Sequence, residues 1–299
     1  MFVKVISVVV ATVFALGTPV LTKSNTPATA VTNSLICPAV SGHRGSVSEA
    51  PENSVPGINA AKAAGAKYVE MDVQFDKSGY PRLLHDDTLD RTTNGKGAIS
   101  AQTYTTVETY TAADYAPWNT DARFKGSKTK VARAYDFFTA VNNAQISAIL
   151  DMKAAPANAD QAAKLLQYIT TYNLASKIIV QGSEDTIKKM RTYSGYSALT
   201  YALIEFPASV SSVAVNVKNP AYLRDVLKVK YYALAVKNIA SKEFVDGYEA
   251  AGVHMIAWST DNTSYDTVTN WSNMTNYGVT VLTTNKPRDL VAWELTAGC

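Results

Sequence analysis

Between Ser41 and Gly97 the chain carries His43, Arg44, Glu70, Asp72 and His85, and these include two of its three histidines. Imidazoles move protons near neutral pH, paired carboxylates hold a hard cation, and a guanidinium grips a phosphate through its planar fork. Together they suit metal-assisted chemistry on a phosphate ester. Such an ester resists attack because its phosphate is anionic and its alkoxide leaves poorly. A site for it needs a cation or arginine, an acid for the leaving oxygen and a base for the nucleophile. His43 and His85 are expected to be that acid–base pair, with the order between them open.

These groups must be positioned by strands. Tyr68–Phe75 alternates, so Tyr68, Glu70, Asp72 and Gln74 share one face. Glu70 and Asp72 then lie roughly 7 Å apart, close enough to share one hard cation. Ala39–Gly42 is small and apolar, a buried strand ending at His43-Arg44-Gly45. Asp76–Gly79 is a turn that returns the chain through Pro81–Leu84 to His85-Asp86. Strand candidates run over Ala39–His43, Tyr68–Gln74, Ser147–Met152, Lys177–Val180, Ala198–Leu203, Tyr231–Val236, Val253–Trp258 and Val279–Thr283, with Val210–Val217 as a further candidate. Helix candidates begin near Ser54, Pro156, Glu184, Pro220, Lys242 and Asn262. Eight strands alternating with helices predict an α/β fold, a (β/α)8 TIM barrel. In such a barrel chemistry sits at strand C-terminal ends. His43-Arg44, Glu70, Asp72, Asp151, Lys153 and Trp258 all fall there.

The motifs occur in order: SGHRG, PENS, YVEMDVQF, then PRLLHDDTLDRTTNGKG. This run resembles the glycerophosphodiester phosphodiesterase family, densely over 41–97 and more weakly through Asp151–Lys153, Trp258 and Thr284–Pro287. The resemblance implies hydrolysis of a glycerophosphodiester to glycerol 3-phosphate and an alcohol. It implies His43 and His85 as acid and base, and Glu70, Asp72 and Asp151 as ligands of Ca²⁺ or Mg²⁺, which oxygen-only ligation favours over zinc. The family more often has Glu-x-Lys where this chain has Asp-x-Lys, so a water can intervene at the shorter Asp151. Arg44 and Lys153 are expected to hold phosphate and Trp258 to wall the glycerol. Glu52 and Asn53 are expected to orient Arg44 or brace the loop. The alternative for Glu70 and Asp72 is ion pairing with Arg44 or Lys153. Thr92, Thr93 and Gly95 read as turn chemistry and His254 as structural. A sphingomyelinase D-like lyase shares the barrel and the Asp-x-Lys, and a catalytically silent binding barrel is the other rival. Against both stands the full set of motifs.

Residues 98–145 form an insertion between the second and third barrel strands, with Trp118, Asn119, several tyrosines and the basic patch Arg123–Lys130. It is either a passive cover or a contributor to the substrate mouth. The 299 residues and net charge of +3 suit one barrel and carry no nucleic-acid footprint. Met1–Leu16 reads as a secretory leader, too short to span a membrane, and Gly17 to about Ala30 as a polar spacer. Residues 1–30 are therefore set apart from one domain at 31–299, and the expected location is extracellular. Barrel closure brings the termini together, so Cys37 and Cys299 can pair. Separate thiols, or a lipid on Cys37, are the alternatives. Asn262, Asn270 and Asn273 fit N-x-S/T. The expected partner is a small glycerophosphodiester, with no nucleic acid and no stable membrane insertion; oligomeric state is not legible.

Overall fold

The alternation at Tyr68–Phe75 becomes a strand in the computed structural model, which describes residues 37–205, 217–259 and 265–299. The expected leader and spacer, residues 210–216 of the extra strand candidate and the sequon at Asn262 lie outside those residues. The strands are β1 (Ala39–Gly42), β2 (Tyr68–Phe75), β3 (Pro81–Leu83), β4 (Ser147–Met152), β5 (Ile178–Gly182), β6 (Thr200–Glu205), β7 (Tyr231–Ala235), β8 (His254–Trp258) and β9 (Val281–Thr284). They follow the order β1-β9-β8-β7-β6-β5-β4-β2-β3, and β1 also pairs with β2. All but β3 are parallel, so eight strands close into a barrel. β3 is the antiparallel return of a hairpin on β2, opposing Leu83 to Val73.

The helices are α1 (Val55–Ala63), α2 (Tyr104–Val107), α3 (Ala134–Ala144), α4 (Ala159–Thr171), α5 (Glu184–Arg191), α6 (Lys242–Glu249), α7 (Val268–Tyr277) and α8 (Pro287–Ala297). Ser54, Asn158, Ser183, Ser241 and Thr267 each cap one, accepting from the backbone N–H three residues on. One cap explains a shifted start: the helix expected near Pro156 waits for Asn158. The start expected near Asn262 lies outside the described residues, and the described helix begins after Thr267. The helix expected near Pro220 does begin there, with residues 220 and 221 α-helical and running into a π-helical stretch, Tyr222–Val226. The inserted segment also ends earlier than expected. Ala134–Ala144 buries Phe137, Phe138 and Val141 and is an ordinary barrel helix between α1 and α4.

The core has two layers. Ile149, Ile179, Ala202, Ala233, Ile256 and Val281 fill the barrel interior. A larger layer, including Val69, Met71, Leu150, Val180 and Leu282, lies between sheet and helices. The insertion has small cores of its own. One gathers Leu84, Leu89, Ile99, Val107 and Val131; another sets Trp118 and Phe124 against Ala50 of the β1–α1 loop. Cys37 and Cys299 form a disulfide across 262 residues of sequence separation. Among the described residues no helix is long and apolar enough to cross a membrane.

Candidate active site

The loop after β1 folds back over β2. Gly45 has φ +99°, and a Cβ there would come within 2.8 Å of the Gly57 carbonyl carbon, so only glycine fits. Its N–H reaches the Glu70 carbonyl at 3.2 Å. Arg44 takes a left-handed φ of 48°, uncommon outside glycine, and points its N–H at Glu70 Oε2, 2.9 Å away. His43 continues the β1–β9 ladder through its N–H to the Thr284 carbonyl at 2.9 Å. That places its ring beside Asn285, with Nδ1 2.6 Å from Asn285 Oδ1. Asn285 Nδ2 donates to Asp266 at 3.0 Å, so Oδ1 must be the acceptor. His43 Nδ1 therefore carries the proton in the neutral ring, and Nε2, 4.0 Å from Glu70, is the basic nitrogen.

Three carboxylates meet beside it. Strand periodicity puts Glu70 and Asp72 on one face, and the β2–β4 register sets Asp151 opposite Asp72. Each offers an oxygen within 4.8 Å of the others, and all three are buried. Asn53, also at positive φ, donates to Asp72 Oδ2 at 2.7 Å and accepts the Asp72 N–H at 3.0 Å. Lys153 Nζ is 2.6 Å from both Asp72 and Asp151, and Arg44 Nε is 3.3 Å from Asp72. Three negative groups thus face two positive ones. Burial, then Asp72 and Asp151, push the Glu70 carboxyl well above the usual range. Burial would also raise Asp72, but Lys153 and Arg44 outweigh it and hold it at about 2.

The second histidine is held from the rim. Gln74, on the same face of β2, donates to the carbonyls of Leu84, His85 and Asp86 and fixes that loop. His85 Nδ1 lies 2.8 Å from Asp86 Oδ1. Asp86 accepts from Arg91 at 2.6 and 3.0 Å, and Arg91 also donates to both oxygens of Glu52, at 2.8 and 2.7 Å. Hydrogen bonds from Arg91, then from His85, hold the Asp86 carboxyl at about 2 against the opposing effect of burial.

His43, Arg44, Glu70, Asp72, His85, Asp151, Lys153 and Trp258 line one cavity of about 340 Å³ at the strand C-terminal ends. The sequence-predicted residues are thus brought together, with four differences of detail. Lys153 lies against the carboxylates of Asp72 and Asp151 as their counter-charge. Asp72 is ion-paired with Arg44 and Lys153, the alternative weighed above, whereas Glu70 takes a backbone N–H. Glu52 braces Arg91 more closely than Arg44, which is 3.4 Å away. The Asn53 side chain serves Asp72, while its backbone N–H donates to the Arg44 carbonyl at 2.9 Å and braces that loop. Thr93 Oγ1 accepts from Gly95 N–H and donates to the Leu89 carbonyl, which is turn chemistry. His254 pairs with Glu249 at the opposite end of β8 from Trp258. Asn285, Arg91, Asp86 and Gln74 carry no role in the sequence analysis. The T-N-x-P and L-D-R-T-T runs hold two of them, but a motif does not say which side chain its residues reach.

The donor set fits a hard divalent cation. It is all oxygen, it is buried, and it carries one more negative charge than its protein counter-ions balance.

Comparison with known proteins agrees with this geometry. The model of the glycerophosphoryl diester phosphodiesterase family matches residues 43–289. Glycerophosphodiester phosphodiesterase 1 of Bos taurus is 27% identical over 242 residues, 73% of this chain and 70% of that one. The glycerophosphodiester phosphodiesterase of Caldanaerobacter subterraneus is 25% identical over 262 residues, 84% of this chain and 96% of its own. A glycerophosphodiester phosphodiesterase structure from Agrobacterium tumefaciens superposes with a TM-score of 0.70 at 18% identity, covering 85% of this chain and 99% of that one. An Oleispira antarctica phosphodiesterase, solved with the product sn-glycerol-3-phosphate, gives 0.69 at 17% identity, covering 86% and 96%. At those identities the structures speak for the barrel alone.

Proposed function

The chain belongs to the glycerophosphoryl diester phosphodiesterase family and is an enzyme that hydrolyses glycerophosphodiesters, and from that premise we propose that its products are sn-glycerol 3-phosphate and an alcohol. The observation that carries this is the convergence of three buried carboxylates and two imidazoles, each with Nδ1 already engaged, on one cavity. Glu70, Asp72 and Asp151 would hold a Ca²⁺ or Mg²⁺ ion, which when bound neutralises phosphate charge and polarises its oxygens. Arg44 presents a guanidinium to the phosphate, and Lys153 adds a positive charge at the same wall. His43 and His85 exchange protons through Nε2, one relieving the nucleophile of its proton and the other supplying one to the departing alkoxide. Trp258, at the end of β8, forms an apolar wall for the glycerol carbons. That a relative of the same fold was solved with sn-glycerol-3-phosphate supports the choice of product.

Export belongs to the same reading. The apolar leader at Met1–Leu16 supports it, as does the Cys37–Cys299 disulfide, a bond that persists in oxidising compartments. Secretion of a reporter fused to residues 1–30 tests it; a reporter retained in the cell overturns it.

The catalytic reading is tested by glycerol 3-phosphate release from glycerophosphocholine and glycerophosphoglycerol, with Ca²⁺, Mg²⁺ or chelator, in the wild type, His43→Ala and Glu70→Ala. Metal-dependent release lost in both variants is expected. Release indifferent to chelator and to both substitutions removes the site from the chemistry. Turnover of sphingomyelin alone moves the enzyme to the lyase class.

A further inference from the structure

A second cavity, of about 380 Å³, opens beside the first. His43 and Arg44 line both. A phosphodiester carries two arms on one phosphorus, so a phosphate held at that shared wall has a cavity on each side. The first contains Trp258 and the carboxylate cluster, and by the reading above it takes the glycerol arm. We propose that the second cavity receives the leaving alcohol, and that its chemistry selects a neutral polyhydroxy alcohol over a quaternary ammonium one. The proposal rests on the function given above and adds the substrate class.

The walls decide the class. Val47 and Pro117 supply apolar surface for a carbon skeleton. Tyr115 Oη accepts the Glu52 N–H at 2.9 Å, which leaves its own proton to give to a ligand hydroxyl. Asp86 Oδ2, which accepts from Arg91 alone, keeps a lone pair at the same wall, whereas both Glu52 oxygens are taken by Arg91 and Arg44. A donor and an acceptor over apolar walls match a polyol, and the volume admits one the size of glycerol or inositol.

The charge does not favour a cation. Arg91 spends four N–H bonds on Glu52 and Asp86, and Arg44, whose charge is shared with Asp72, approaches Glu52 at 3.4 Å, so each carboxylate already has a guanidinium partner. The aromatic surface is also limited. Trp118 is 7% exposed and in edge contact with Phe124, so it cannot help to enclose a trimethylammonium group.

The test is a comparison of kcat/KM for glycerophosphoinositol, glycerophosphocholine and the methyl ester of glycerol 3-phosphate, with the divalent ion that best supports turnover. In the wild type the inositol ester is expected to exceed the choline ester by about tenfold, since a site built to hydrogen-bond hydroxyls discriminates against a ligand without them. Tyr115→Phe keeps the ring and the packing. It should lower the inositol value by about fivefold, the worth of one hydrogen bond, and the choline value by less than half that factor. Val47→Phe narrows the cavity and should depress the inositol-to-methyl ratio. A wild-type preference for choline overturns the proposal. So do ratios that neither substitution moves while all three esters are still hydrolysed. Failure to hydrolyse any glycerophosphodiester instead removes the function on which the proposal stands.

Discussion

Two charged clusters share the mouth of this barrel, and they are balanced differently. The inner one sets Glu70, Asp72 and Asp151 against Arg44 and Lys153, with its carboxylates on β2 and β4. The outer one joins Glu52 and Asp86, on loops, through Arg91, which bonds to both oxygens of each. Each cluster holds one carboxylate more than its cations, yet in the outer cluster every carboxylate oxygen accepts from Arg91. In the inner cluster Glu70 is left in excess, so burial and its neighbours resist its ionisation. A buried charge left without its counter-ion is costly. The arrangement makes sense where the missing charge arrives with a ligand. On the proposed function the outer cluster is a brace and the inner one a receptor, although both are built from the same residue types.

That contrast is broken first by removing inner carboxylates. Glu70→Gln is expected to lower kcat/KM by about 10²–10³-fold, comparable to deleting one electrostatic stabiliser of a transition state. The divalent-ion concentration for half-activity should rise by more than about 100-fold, beyond what loss of an outer hydrogen-bond partner causes. Yet in chelated protein the same variant should melt about 2 °C higher, because a repelling carboxyl is gone while the amide oxygen still accepts the Arg44 N–H. Activity assays over a cation titration and thermal melts with chelator check both halves. A variant that loses activity and also melts lower would make Glu70 structural.

The outer cluster should respond with smaller losses and the opposite sign of stability. Arg91→Ala leaves Glu52 and Asp86 facing each other and unbinds the residue that orients His85. A fall of about 10–100-fold in kcat is expected, with KM little changed. The loss in stability should be about 1 kcal/mol, since Arg91 is part exposed. Arg91→Lys should recover only part, because an ammonium cannot serve two carboxylates bidentately. Full rescue by lysine would reduce the brace to a point charge.

Legibility in the sequence divides along the same line. The inner cluster follows from period-two strands and from the rule that barrel strands end at the site, so Glu70, Asp72, Asp151 and His43 can be placed without coordinates. Eight strands follow in the same way, with ends off by a residue or two. The outer cluster depends on where a loop returns. Arg91 lies within a run that reads as turn, and nothing local says that it reaches back to Glu52. Asn285 is similar. It meets His43 because β1 and β9 close the barrel, a contact across 242 residues that no periodicity encodes. Ala134–Ala144 falls within the expected insertion although it carries the apolar pair Phe137-Phe138, because the segment before it is long and polar. Loop-borne pairings and closure contacts are tertiary facts, and those are what the sequence withholds.

The smallest expected effect is a pH dependence, and its sign separates the clusters. Arg91 and His85 hold the Asp86 carboxyl at about 2 in the fold, against about 3.9 in an unfolded chain. Between those values the unfolded state binds more protons. The stability that Asp86 contributes is therefore complete above about pH 4 and is lost as pH falls toward 2. Because the group is 31% exposed and partly screened by solvent, the amount is about half a kcal/mol. Denaturant midpoints of wild type and Asp86→Asn should thus differ at pH 6 and converge as pH falls through 3. Glu70 has the reverse sign: its raised pKa means that acid relieves a burden, so Glu70→Gln should lose its stability advantage as pH falls. A gap between wild type and Asp86→Asn that is constant from pH 6 to 3 would mean that Arg91 does not hold Asp86 ionised. The outer cluster would then be no better compensated than the inner one.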